Sequence, residues 1–515
     1  MILITSGAYC SPALMSEFGM QPPCMLPIQN RRLYVHQLQN LPSNELIVIS
    51  LPSDYVLSEF DKEFFLRNDI NIVPVPKELS LGASIVYVLN FVSRYDEPLR
   101  ILHGDTLMKS IPNGYDNIVV STVVDDYSWD YWDKTQQKAI VGYFSFSSQS
   151  LLIRSITVCG NKFIDGVRLY DKTIKLESIE IKDWLDFGLS NTYYRSKSTL
   201  TTERTFNDLK ITKYSVTKRS NDTRKILAEA NWINNIPNKL RHYVPTLWDY
   251  GISLEGKGYY EIEYFYLNSL ADLYVFGRNS ENIWKRIIDS CAEYICDESG
   301  IVPCDTTEIA ENCVSLYGKK TYDRLVKYCT GKEIDMNTPF FINGENTPSL
   351  NEILEDISMP LQSPSPQFVS LMHGDFCFSN ILYDFISCSI KVIDPRGLDT
   401  NGNETIYGDF RYDVAKLAHS VLGLYDLIIG GFFNYNEKGK YDISLTFPED
   451  IVHGNIQRYF KLKRFAGYTL AQLKTYPIMI HLFLSMLPLH SDNPLRQKAM
   501  LANALRLYSE YKKSN

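Results

Sequence analysis

Apolar and polar positions follow two different periods along the first 195 residues. Apolar runs of strand length end in small or turn-forming residues at Ile2–Gly7, Glu45–Pro52 and Leu99–Asp105. Between the first two runs, Leu33–Leu41 has apolar side chains at helical spacing. Strands that alternate with helices predict a mostly parallel α/β sheet with helices on both faces. Ligands of such sheets lie at the carboxyl ends of the strands, so Ser6-Gly7 and Gly104-Asp105, which end the first and third runs, are candidates for a site.

The pattern changes near residue 195, where a polar, Ser- and Thr-rich stretch predicts a joint over 196–205. Residues 208–220 alternate like an antiparallel strand pair, a helix is predicted over Thr223–Ile236, and more strands are predicted over 246–266. Beyond Leu267 the chain is predicted to be predominantly helical to its end, apart from one strand pair over 381–394. A small sheet with one helix, followed by a larger helical part, predicts an α+β unit with two lobes.

Length and composition limit the classes of function. A chain of 515 residues exceeds one hydrophobic core, so we expect two domains, 1–195 and 196–515, the latter with lobes at about 205–267 and about 268–515. The chain has 52 basic and 60 acidic residues without a Lys/Arg-rich run, which argues against a nucleic-acid partner. No apolar stretch reaches the roughly 18–20 residues of a membrane span. The ten cysteines lack C-x-x-C spacing, so we expect reduced thiols in a cytoplasmic protein.

The most specific motif is LMHGDFCFSN at Leu371–Asn380, followed by the apolar strand Ile390–Ile393 that ends in Asp394. Phosphoryl transfer needs a carboxylate that orients the attacking hydroxyl and accepts its proton. It also needs oxygen ligands that hold Mg²⁺ on the phosphates. An Asp, an Asn five residues later and an Asp at the end of a strand supply that set in order.

These residues resemble the catalytic loop of the aminoglycoside phosphotransferase and choline kinase families, which reads H-G-D-x-x-x-x-N and is followed by a metal-binding Asp on a strand. The resemblance covers about residues 200–515. It implies a bilobal protein-kinase-like fold and a kinase that uses ATP and Mg²⁺. It also implies that Asp375 is the catalytic base, that Asn380 and Asp394 bind the metal, and that His373 supports the loop.

The same resemblance predicts a Lys–Glu pair in the smaller lobe. In kinases a Lys on a strand positions the ATP phosphates, and a Glu on the next helix holds this Lys. Lys218 ends a strand, and Glu229 lies eleven residues later on the next helix, in the same order. Lys213, Arg219 and Lys225 compete with Lys218 for the cationic role.

The adenine hinge is expected at Glu261–Tyr266, with Glu263 and Phe265 as ATP-binding candidates. The turn within Asp208–Ser215 contains no Gly, so a Gly-rich phosphate loop is missing. This departure from other kinases leaves the phosphate contacts and the preference for ATP or GTP open.

The segment GDFRYDVAKL resembles the G-D-x-x-x-D-x-A helix behind the metal site of the family. An Asp at a helix start is stabilised by the free N–H groups and the dipole, so Asp409 and Asp413 are expected as supports. Tyr412, Arg396 and His490 are candidates for the acceptor pocket.

Three segments of the first domain resemble sugar-phosphate nucleotidyltransferases. PPCMLPI at 22–28 is similar to the P-K-x-L-x-P-I segment, LHGD at 102–105 to the metal-binding G-D, and DWLDFG at 183–188 to W-x-D-x-G. The resemblance implies a Rossmann-like, mostly parallel sheet. The segment SLGAS at 80–84 precedes a helix where the family contacts the base, which implies that Gly82 lies near the base of a nucleotide.

The resemblance further suggests that Asp105 and Asp186 share a Mg²⁺ ion. The phosphate loop departs from the family, because it has Gly7 but no second Gly and no Arg, and because Tyr9 and Pro12 restrict close backbone approach. These departures favour a binding or architectural domain over an active nucleotidyltransferase.

The leading hypothesis is a kinase that phosphorylates a hydroxyl of a sugar or a related polar metabolite. A nucleotidyltransferase-like domain in the same chain suggests a sugar-nucleotide or capsule and surface polysaccharide pathway. Alternatives are a choline or ethanolamine kinase with a cytidylyltransferase partner domain, a non-catalytic nucleotide-binding scaffold, and antibiotic modification. The acceptor, the position phosphorylated and the oligomeric state stay open.

Overall fold

Two compact units make up the chain in a computed structural model, which describes residues 1–123, 127, 129–200 and 207–514. The first unit comprises Met1–Leu200 with Phe276–Arg278, and the second comprises Thr201–Val275 with Asn279–Asn515. The division expected at residue 195 lies within a helix, Ser190–Thr199. The second half of the predicted joint, residues 201–205, lies outside the described residues.

The first unit alternates strands and helices along the chain. Its strands are β1 (Ile2–Thr5), β2 (Pro27–Ile28), β3 (Arg31–Arg32), β4 (Ile47–Pro52), β5 (Ile70–Val75), β6 (Leu99–His103), β7 (Thr106–Met108), β8 (Asn117–Thr122), β9 (Tyr131–Asp133), β10 (Lys138–Phe146), β11 (Glu177–Glu180) and β12 (Trp184–Asp186). Its helices are α1 (Pro12–Phe18), α2 (Leu33–Gln39), α3 (Glu59–Arg67), α4 (Leu81–Val92), α5 (Gln149–Val158), α6 (Phe163–Asp171) and α7 (Ser190–Thr199).

The main sheet of the first unit has the strand order β11-β8-β10-β6-β1-β4-β5. Strands β6, β1, β4 and β5 are parallel neighbours, and β11 is parallel to β8. Strand β10 runs antiparallel to β6 and to β8. The predicted mostly parallel α/β sheet is therefore confirmed, with one antiparallel strand inserted.

Both faces of the central strand β1 are buried. Leu3 packs in a core with Ile85 of α4, whereas Ile4 packs in a separate core with Tyr34 of α2 and Phe65 of α3. Successive side chains of a strand point to opposite faces. A sheet covered by helices on both faces therefore needs continuous apolar strands, which explains the uninterrupted apolar run at the start of the chain.

The second unit has a small sheet first and a mainly helical part after it. Its strands are β13 (Asn207–Ile211), β14 (Ser215–Ser220), β15 (Leu247–Ile252), β16 (Gly258–Glu263), β17 (Asn268–Ser269), β18 (Phe340–Ile342), β19 (Glu345–Thr347), β20 (Val369–Leu371), β21 (Ile381–Asp384), β22 (Ser389–Val392), β23 (Tyr407–Asp409), β24 (Asn434–Gly439) and β25 (Asp442–Thr446). Its helices are α8 (Thr223–Asn235), α9 (Leu270–Phe276, whose last residue belongs to the first unit), α10 (Glu281–Ser299), α11 (Thr307–Tyr317), α12 (Lys319–Lys332), α13 (Leu350–Ser358), α14 (Arg411–Val421), α15 (Tyr425–Gly430), α16 (Ile451–Leu462), α17 (Thr475–Met486) and α18 (Pro494–Ser514).

The small sheet is antiparallel, with the order β13-β14-β16-β15. Helix α8 packs on this sheet and is capped by Asp222, whose side chain accepts the backbone N–H of Lys225. In the helical part, α14 packs against α17, and its residues Val414, Leu417 and Val421 are fully buried. The predicted α+β arrangement of the second unit is confirmed.

The prediction that one strand pair interrupts the helices beyond residue 267 is wrong. Strand β18 pairs with β19 and β25, β24 pairs with β25, and β20 pairs with β23. Strand β24 has the polar sequence NYNEKG and is largely exposed. An exposed edge strand needs no apolar alternation, so the pattern of apolar positions could not reveal it.

In the described part of the chain, no helix combines the length and the apolar character needed to cross a membrane. All ten cysteines are free thiols.

Candidate active site

A cavity of about 650 Å³ in the second unit, called the central cleft here, is lined by residues of β14, α8, α12, α14 and α17. The segment Gly374–Asn380 and the residues from Asp394 to Asp399 contribute further lining side chains. The volume lies within the range of about 300–1,000 Å³ that is typical of small-molecule sites.

The HGD loop, residues Leu371–Asn380, connects β20 to β21. Gly374 has φ +78°, and a Cβ atom there would lie 2.6 Å from Cβ of Arg396, so the turn requires glycine. The turn brings Asp375 and Asn380 together. Asn380 Nδ2 donates to Asp375 Oδ2 at 2.9 Å and to the Asp375 carbonyl at 3.0 Å.

The carboxylate of Asp375 faces the central cleft, with 41% of the side chain exposed. Its Oδ1 lies 2.7 Å from Nζ of Lys416 on α14. Partial burial alone would raise the pKa of Asp375, but Lys416 above all, assisted by Asn380, lowers that pKa to about 2. Asp375 is therefore ionised at neutral pH, and both of its oxygens are oriented by neighbours.

Asp413 of α14 holds the HGD loop through two backbone contacts. Its carboxylate accepts the N–H of His373 at 2.7 Å and the N–H of Gly374 at 2.8 Å. His373 is buried, which lowers its pKa to about 4, and its neutral Nδ1 accepts the N–H of Asp375 at 3.2 Å. Burial raises the pKa of Asp413 to about 7 against the opposing effect of the amides. Asp413 and His373 thus position the loop and lie outside the lining of the cleft.

Asp409 lies at the end of β23 and is buried. It accepts two side-chain hydrogen bonds from Arg411, Nε at 2.9 Å and Nη2 at 2.6 Å, and one from the Tyr317 hydroxyl at 2.9 Å. These contacts fix the start of α14, the helix that carries Asp413 and Lys416.

Lys218 of β14, in the small antiparallel sheet, contacts carboxylates of two other segments. Its Nζ lies 2.7 Å from Glu229 Oε2 on α8 and 3.2 Å from Asp394 Oδ1. The hydroxyl of Tyr260 donates to the same two carboxylates, at 3.1 Å and 3.2 Å. Burial opposes the charge of Lys218, but Asp394 and Glu229 outweigh it and raise its pKa. Lys218 is therefore a permanently charged group in the cleft.

The chain turns sharply after β22. Asp394 has φ +56° and Gly397 has φ +65°. A Cβ atom at Gly397 would lie 2.2 Å from the carbonyl oxygen of Ala228 on α8, so only glycine permits this close approach. The turn brings Asp394 to Lys218 and leads the chain on to Arg396 in the cleft lining.

Asn380 and Asp394 line the same cleft and offer an amide and a carboxylate oxygen, the hard donors that Mg²⁺ prefers. Among the described residues, no three or more His, Cys, Asp or Glu side chains form a metal-binding group. At nucleotide sites Mg²⁺ uses one or two carboxylates and takes its other ligands from phosphates and water. The donor set therefore fits Mg²⁺ bound together with a nucleotide.

The cations that compete with Lys218 are placed differently. Lys213 and Arg219 are exposed, and Lys225 is 53% exposed with its Nζ 3.9 Å from Glu229 Oε1. Of these four cations, Lys218 alone is buried and contacts both Glu229 and Asp394.

The side chains of the predicted hinge point to other partners. Glu263 Oε2 accepts the hydroxyl of Thr246 at 3.0 Å, and the ammonium group of Lys391 lies 5.4 Å from the centre of the Phe265 ring. Neither Glu263 nor Phe265 belongs to the described lining of the cleft. A contribution of this segment to adenine binding would come from its backbone, and it stays a prediction.

The acceptor candidates Arg396, Tyr412 and His490 all line the cleft. Sequence reasoning missed Lys416, Lys320, Arg324 and Tyr260. Lys416 follows Asp413 by three residues and Arg324 follows Lys320 by four, so each pair shares a helix face. That spacing was the available signal, but it does not show which face borders the cleft.

In the first unit, Asp105 and Asp186 lie together beside Gly188. A Cβ atom on Gly188 would lie 2.7 Å from Asp105 Oδ2 and 3.6 Å from Asp186 Oδ1. Loss of contact with water raises the pKa of Asp105. The same effect, and after it the negative charge of Asp105, raises the pKa of Asp186 to about 7. A divalent cation would relieve this repulsion, so the pair fits the predicted Mg²⁺ site.

Gly7 and Gly82 are closely packed in the first unit. A Cβ atom at Gly7 would lie 3.0 Å from Ser84 Oγ, and one at Gly82 would lie 2.4 Å from the carbonyl oxygen of Asn161. Tight packing therefore accounts for both glycines without a ligand. Arg32, the buried arginine that precedes α2, lies with Nη2 3.5 Å from Oδ2 of Asp61 and is thus paired within the unit.

No family model matches the chain, and no curated protein sequence matches it. Similar solved structures include a protein from Bacillus anthracis, in complex with a sucrose, that is named as a glucose-1-phosphate thymidylyltransferase (12% identity, TM-score 0.29, 39% of this chain and 97% of that chain). A thermostable mutant of aminoglycoside phosphotransferase APH(4)-Ia with ADP and hygromycin B is similar at 13% identity and TM-score 0.36, over 59% of this chain and 92% of that chain. The GDP complex of an aminoglycoside 2′-phosphotransferase-IIIa mutant is similar at 13% identity and TM-score 0.35, over 61% and 91%.

Proposed function

We propose that the second unit is a kinase that transfers the γ-phosphoryl group of ATP to a hydroxyl of a small molecule. The observation that carries this proposal is the meeting of Lys218, Asp375, Asn380 and Asp394 in one cleft, although Lys218 and Asp394 are 176 residues apart in the sequence. A base, a phosphate-binding cation and metal ligands are the parts that phosphoryl transfer requires.

Asp375 orients the acceptor hydroxyl and accepts its proton. The hydroxyl oxygen forms a bond to the γ-phosphorus, the bond to the bridging oxygen breaks, and ADP leaves with the electron pair. A carboxylate is too weak a base to deprotonate a free hydroxyl, and the ion pair with Lys416 lowers the pKa of Asp375 further. The proton therefore moves late, when bond formation to phosphorus has made the hydroxyl acidic.

Lys218 binds phosphate oxygens, and Glu229 and Asp394 hold it in place. Asn380 and Asp394 would hold Mg²⁺, which when bound neutralises charge on the phosphates of the nucleotide. Asp413 and His373 keep the HGD loop in the conformation that aims Asp375 into the cleft.

A sugar or a related polar metabolite is the proposed acceptor class. The support is the companion unit, whose mostly parallel sheet and paired Asp105 and Asp186 suit sugar-phosphate nucleotidyl transfer. The product of a sugar kinase is a usual precursor of a sugar nucleotide, so the two units fit one route at the level of fold analogy.

The test is incubation of the intact chain with Mg²⁺, ATP and a panel of free sugars, amino sugars, sugar acids, sugar phosphates, polyols, choline and ethanolamine. Phosphorus NMR of the products identifies a phosphomonoester, and coupled ADP release gives its rate. We expect turnover with a polyhydroxy acceptor. Turnover confined to choline or ethanolamine would replace this proposal with the choline-type alternative, and nucleotide binding without transfer to any hydroxyl would replace it with the scaffold.

A second candidate function is nucleotidyl transfer by the first unit, which the half-buried pair of Asp105 and Asp186 favours. Its test is pyrophosphate release from each nucleoside triphosphate with sugar 1-phosphates. Release that Asp105→Asn abolishes would assign the activity to this pair. No release with any triphosphate would leave a binding or architectural role.

A further inference from the structure

The central cleft carries unusual positive charge for a protein with a net charge of −8. Lys320 and Arg324 project into it from α12, and Arg396 and Lys416 line it beside Asp375. Lys416 contacts Asp375, but the other three cations have no carboxylate within ion-pair distance in the described part of the chain.

The carboxylates that line the cleft have other partners: Glu229, Asp394, Asp375 and Asp399. Glu229 and Asp394 contact Lys218, and Asp375 contacts Lys416. Asp399 accepts backbone N–H groups within its own loop. The excess cations are thus not neutralised by the acids that share their cavity.

Lys320 shows the energetic consequence most clearly. Burial foremost, and then the cations Arg396, Arg324 and Lys416, lower its pKa to about 7. Its place in the first turn of α12 adds the unfavourable interaction of a cation with the positive end of a helix dipole. Lys320 is partly buried, and a charge that is partly removed from water without an acidic partner is costly. A bound anion would reduce that cost.

Arg324 and Arg396 are also held in place. Arg324 Nη1 donates to the carbonyl of Ser485 at 3.2 Å, which ties α12 to the end of α17. The guanidinium of Arg396 lies 5.9 Å from the centre of the Tyr412 ring, and its backbone N–H donates to the carbonyl of His373 at 2.8 Å. Two guanidinium groups held beside a lysine suit a carboxylate or phosphate group, which they bind through several hydrogen bonds.

We propose that the acceptor is an anionic molecule, whose carboxylate or phosphate group binds to Lys320, Arg324 and Arg396 while its hydroxyl faces Asp375. This inference rests on the proposed kinase function and adds the substrate class to it. The hydroxyl receives the γ-phosphoryl group, and the anionic group is unchanged in the reaction. The same cations repel choline and protonated amino sugars, so cationic acceptors do not fit this cleft.

The first test compares matched acceptors on the intact chain with Mg²⁺ and ATP. The neutral compounds glucose and glycerol are set against glucuronate, glycerate, glucose 6-phosphate and glycerol 3-phosphate, with glucosamine and choline as cations. We expect kcat/KM for an anionic acceptor to exceed that of its neutral counterpart by about 100-fold, as for paired buried charges. The active anion, carboxylate or phosphate, identifies the group that binds. Turnover confined to neutral or cationic acceptors would overturn the proposal.

Variants assign the effect to the cation cluster. Lys320→Met is expected to raise the KM of the anionic acceptor by about 10-fold or more and to leave the KM of ATP within about 2-fold. Lys319→Met is the matched control, because Lys319 is its exposed neighbour on the same helix. If Lys320→Met raised the KM of ATP instead, the cluster would serve the donor and the proposal would be wrong.

Equilibrium binding separates this inference from the kinase proposal. Calorimetry uses Asp375→Asn with Mg²⁺ and a non-hydrolysable ATP analogue that fills the γ-phosphate position, titrated with glucuronate, glycerate and glycerol 3-phosphate. We expect at least one of these to bind, and Lys320→Met to abolish that binding. Anion binding in a wild-type chain that transfers no phosphate would support the anion site and refute the kinase. Absence of binding by every anion would overturn the inference.

Discussion

Nζ of Lys416 lies 2.7 Å from Oδ1 of Asp375, although the two residues are 41 positions apart in the sequence. Asn380 contacts the other carboxylate oxygen, so the two neighbours together fix the plane of the carboxylate. Helix α14 also carries Asp413, which holds the backbone of the HGD loop. One helix therefore positions both the backbone and the side chain of the proposed base.

Replacement of Lys416 tests this arrangement. Lys416→Met should lower kcat by about 100-fold or more, because the carboxylate loses the partner that orients it. Lys416→Arg should recover part of the loss, since it restores a cation at the same place. Steady-state kinetics with circular dichroism as a check of folding provide the measurement. An unchanged kcat in Lys416→Met would mean that the ion pair does not contribute to the reaction.

Lys218 and Arg219 are neighbours on β14 with opposite exposure, which makes them a matched pair. Lys218→Met should reduce kcat/KM for ATP by about 100-fold or more, as expected for loss of a cation that stabilises transferred charge. Arg219→Met removes the same charge from the exposed face and should leave kcat/KM within about 2-fold. Equal effects of the two variants would show that Lys218 has no special role.

The turn at Gly397 can be tested by stability measurements. Gly397→Ala should lower the free energy of unfolding by about 3 kcal/mol or more, from left-handed strain together with the clash at Ala228. Gly256→Ala is the control, because Gly256 also has a positive φ but nothing lies within 4 Å of its Cβ position. It should cost about 1 kcal/mol. Urea titration of both variants measures the difference, and equal losses would contradict the close approach.

Lys320 predicts how stability depends on pH in the absence of ligands. Its pKa is about 7 in the folded protein and near 10.5 when unfolded. Below pH 7 the lysine is charged in both states, so the folded protein carries the full cost of the buried charge. Between pH 7 and 10.5 the unfolded state binds more protons, so this cost declines as the pH rises.

Lys320→Met should therefore raise the melting temperature at pH 6 by about 2 °C or more, and the gain should shrink towards pH 9. Differential scanning calorimetry at several pH values measures this trend, with Lys319→Met as the control. A gain that does not change with pH, or a loss of stability at pH 6, would show that Lys320 is not a partly buried cation without a compensating acid.

Local spacing is what made much of the site predictable. Asp375 and Asn380 share one loop, and Lys218 and Glu229 sit on a strand and the helix that follows it, so their spacing in the sequence limits their positions in space. Lys416 was not predicted, because its contact with Asp375 depends on how α14 packs behind the HGD loop. That packing is a tertiary property that no window of the sequence contains.

In the fold, too, the features with a local sequence signal were predictable and those set by tertiary structure were not. The apolar run of β1 predicts a strand buried on both faces, and the alternation with helices predicts parallel neighbours. The antiparallel direction of β10 depends on the path of the preceding connection, which periodicity does not encode. The polar edge strand β24 gives no apolar signal at all, so the sequence pattern missed it.

Asp375 is the residue on which the proposed function depends most, and one substitution tests it directly. Asp375→Asn keeps the size and shape of the side chain but removes the proton acceptor. With an acceptor identified from the panel, kcat should fall by about 1,000-fold or more, within the range for loss of a general base. The Kd of Mg²⁺–ATP should stay within about 3-fold of the wild-type value, because the proposed partner of Asp375 is the acceptor hydroxyl and not the nucleotide. A kcat close to that of the wild-type protein would contradict the assignment of Asp375 as the base of a phosphotransferase.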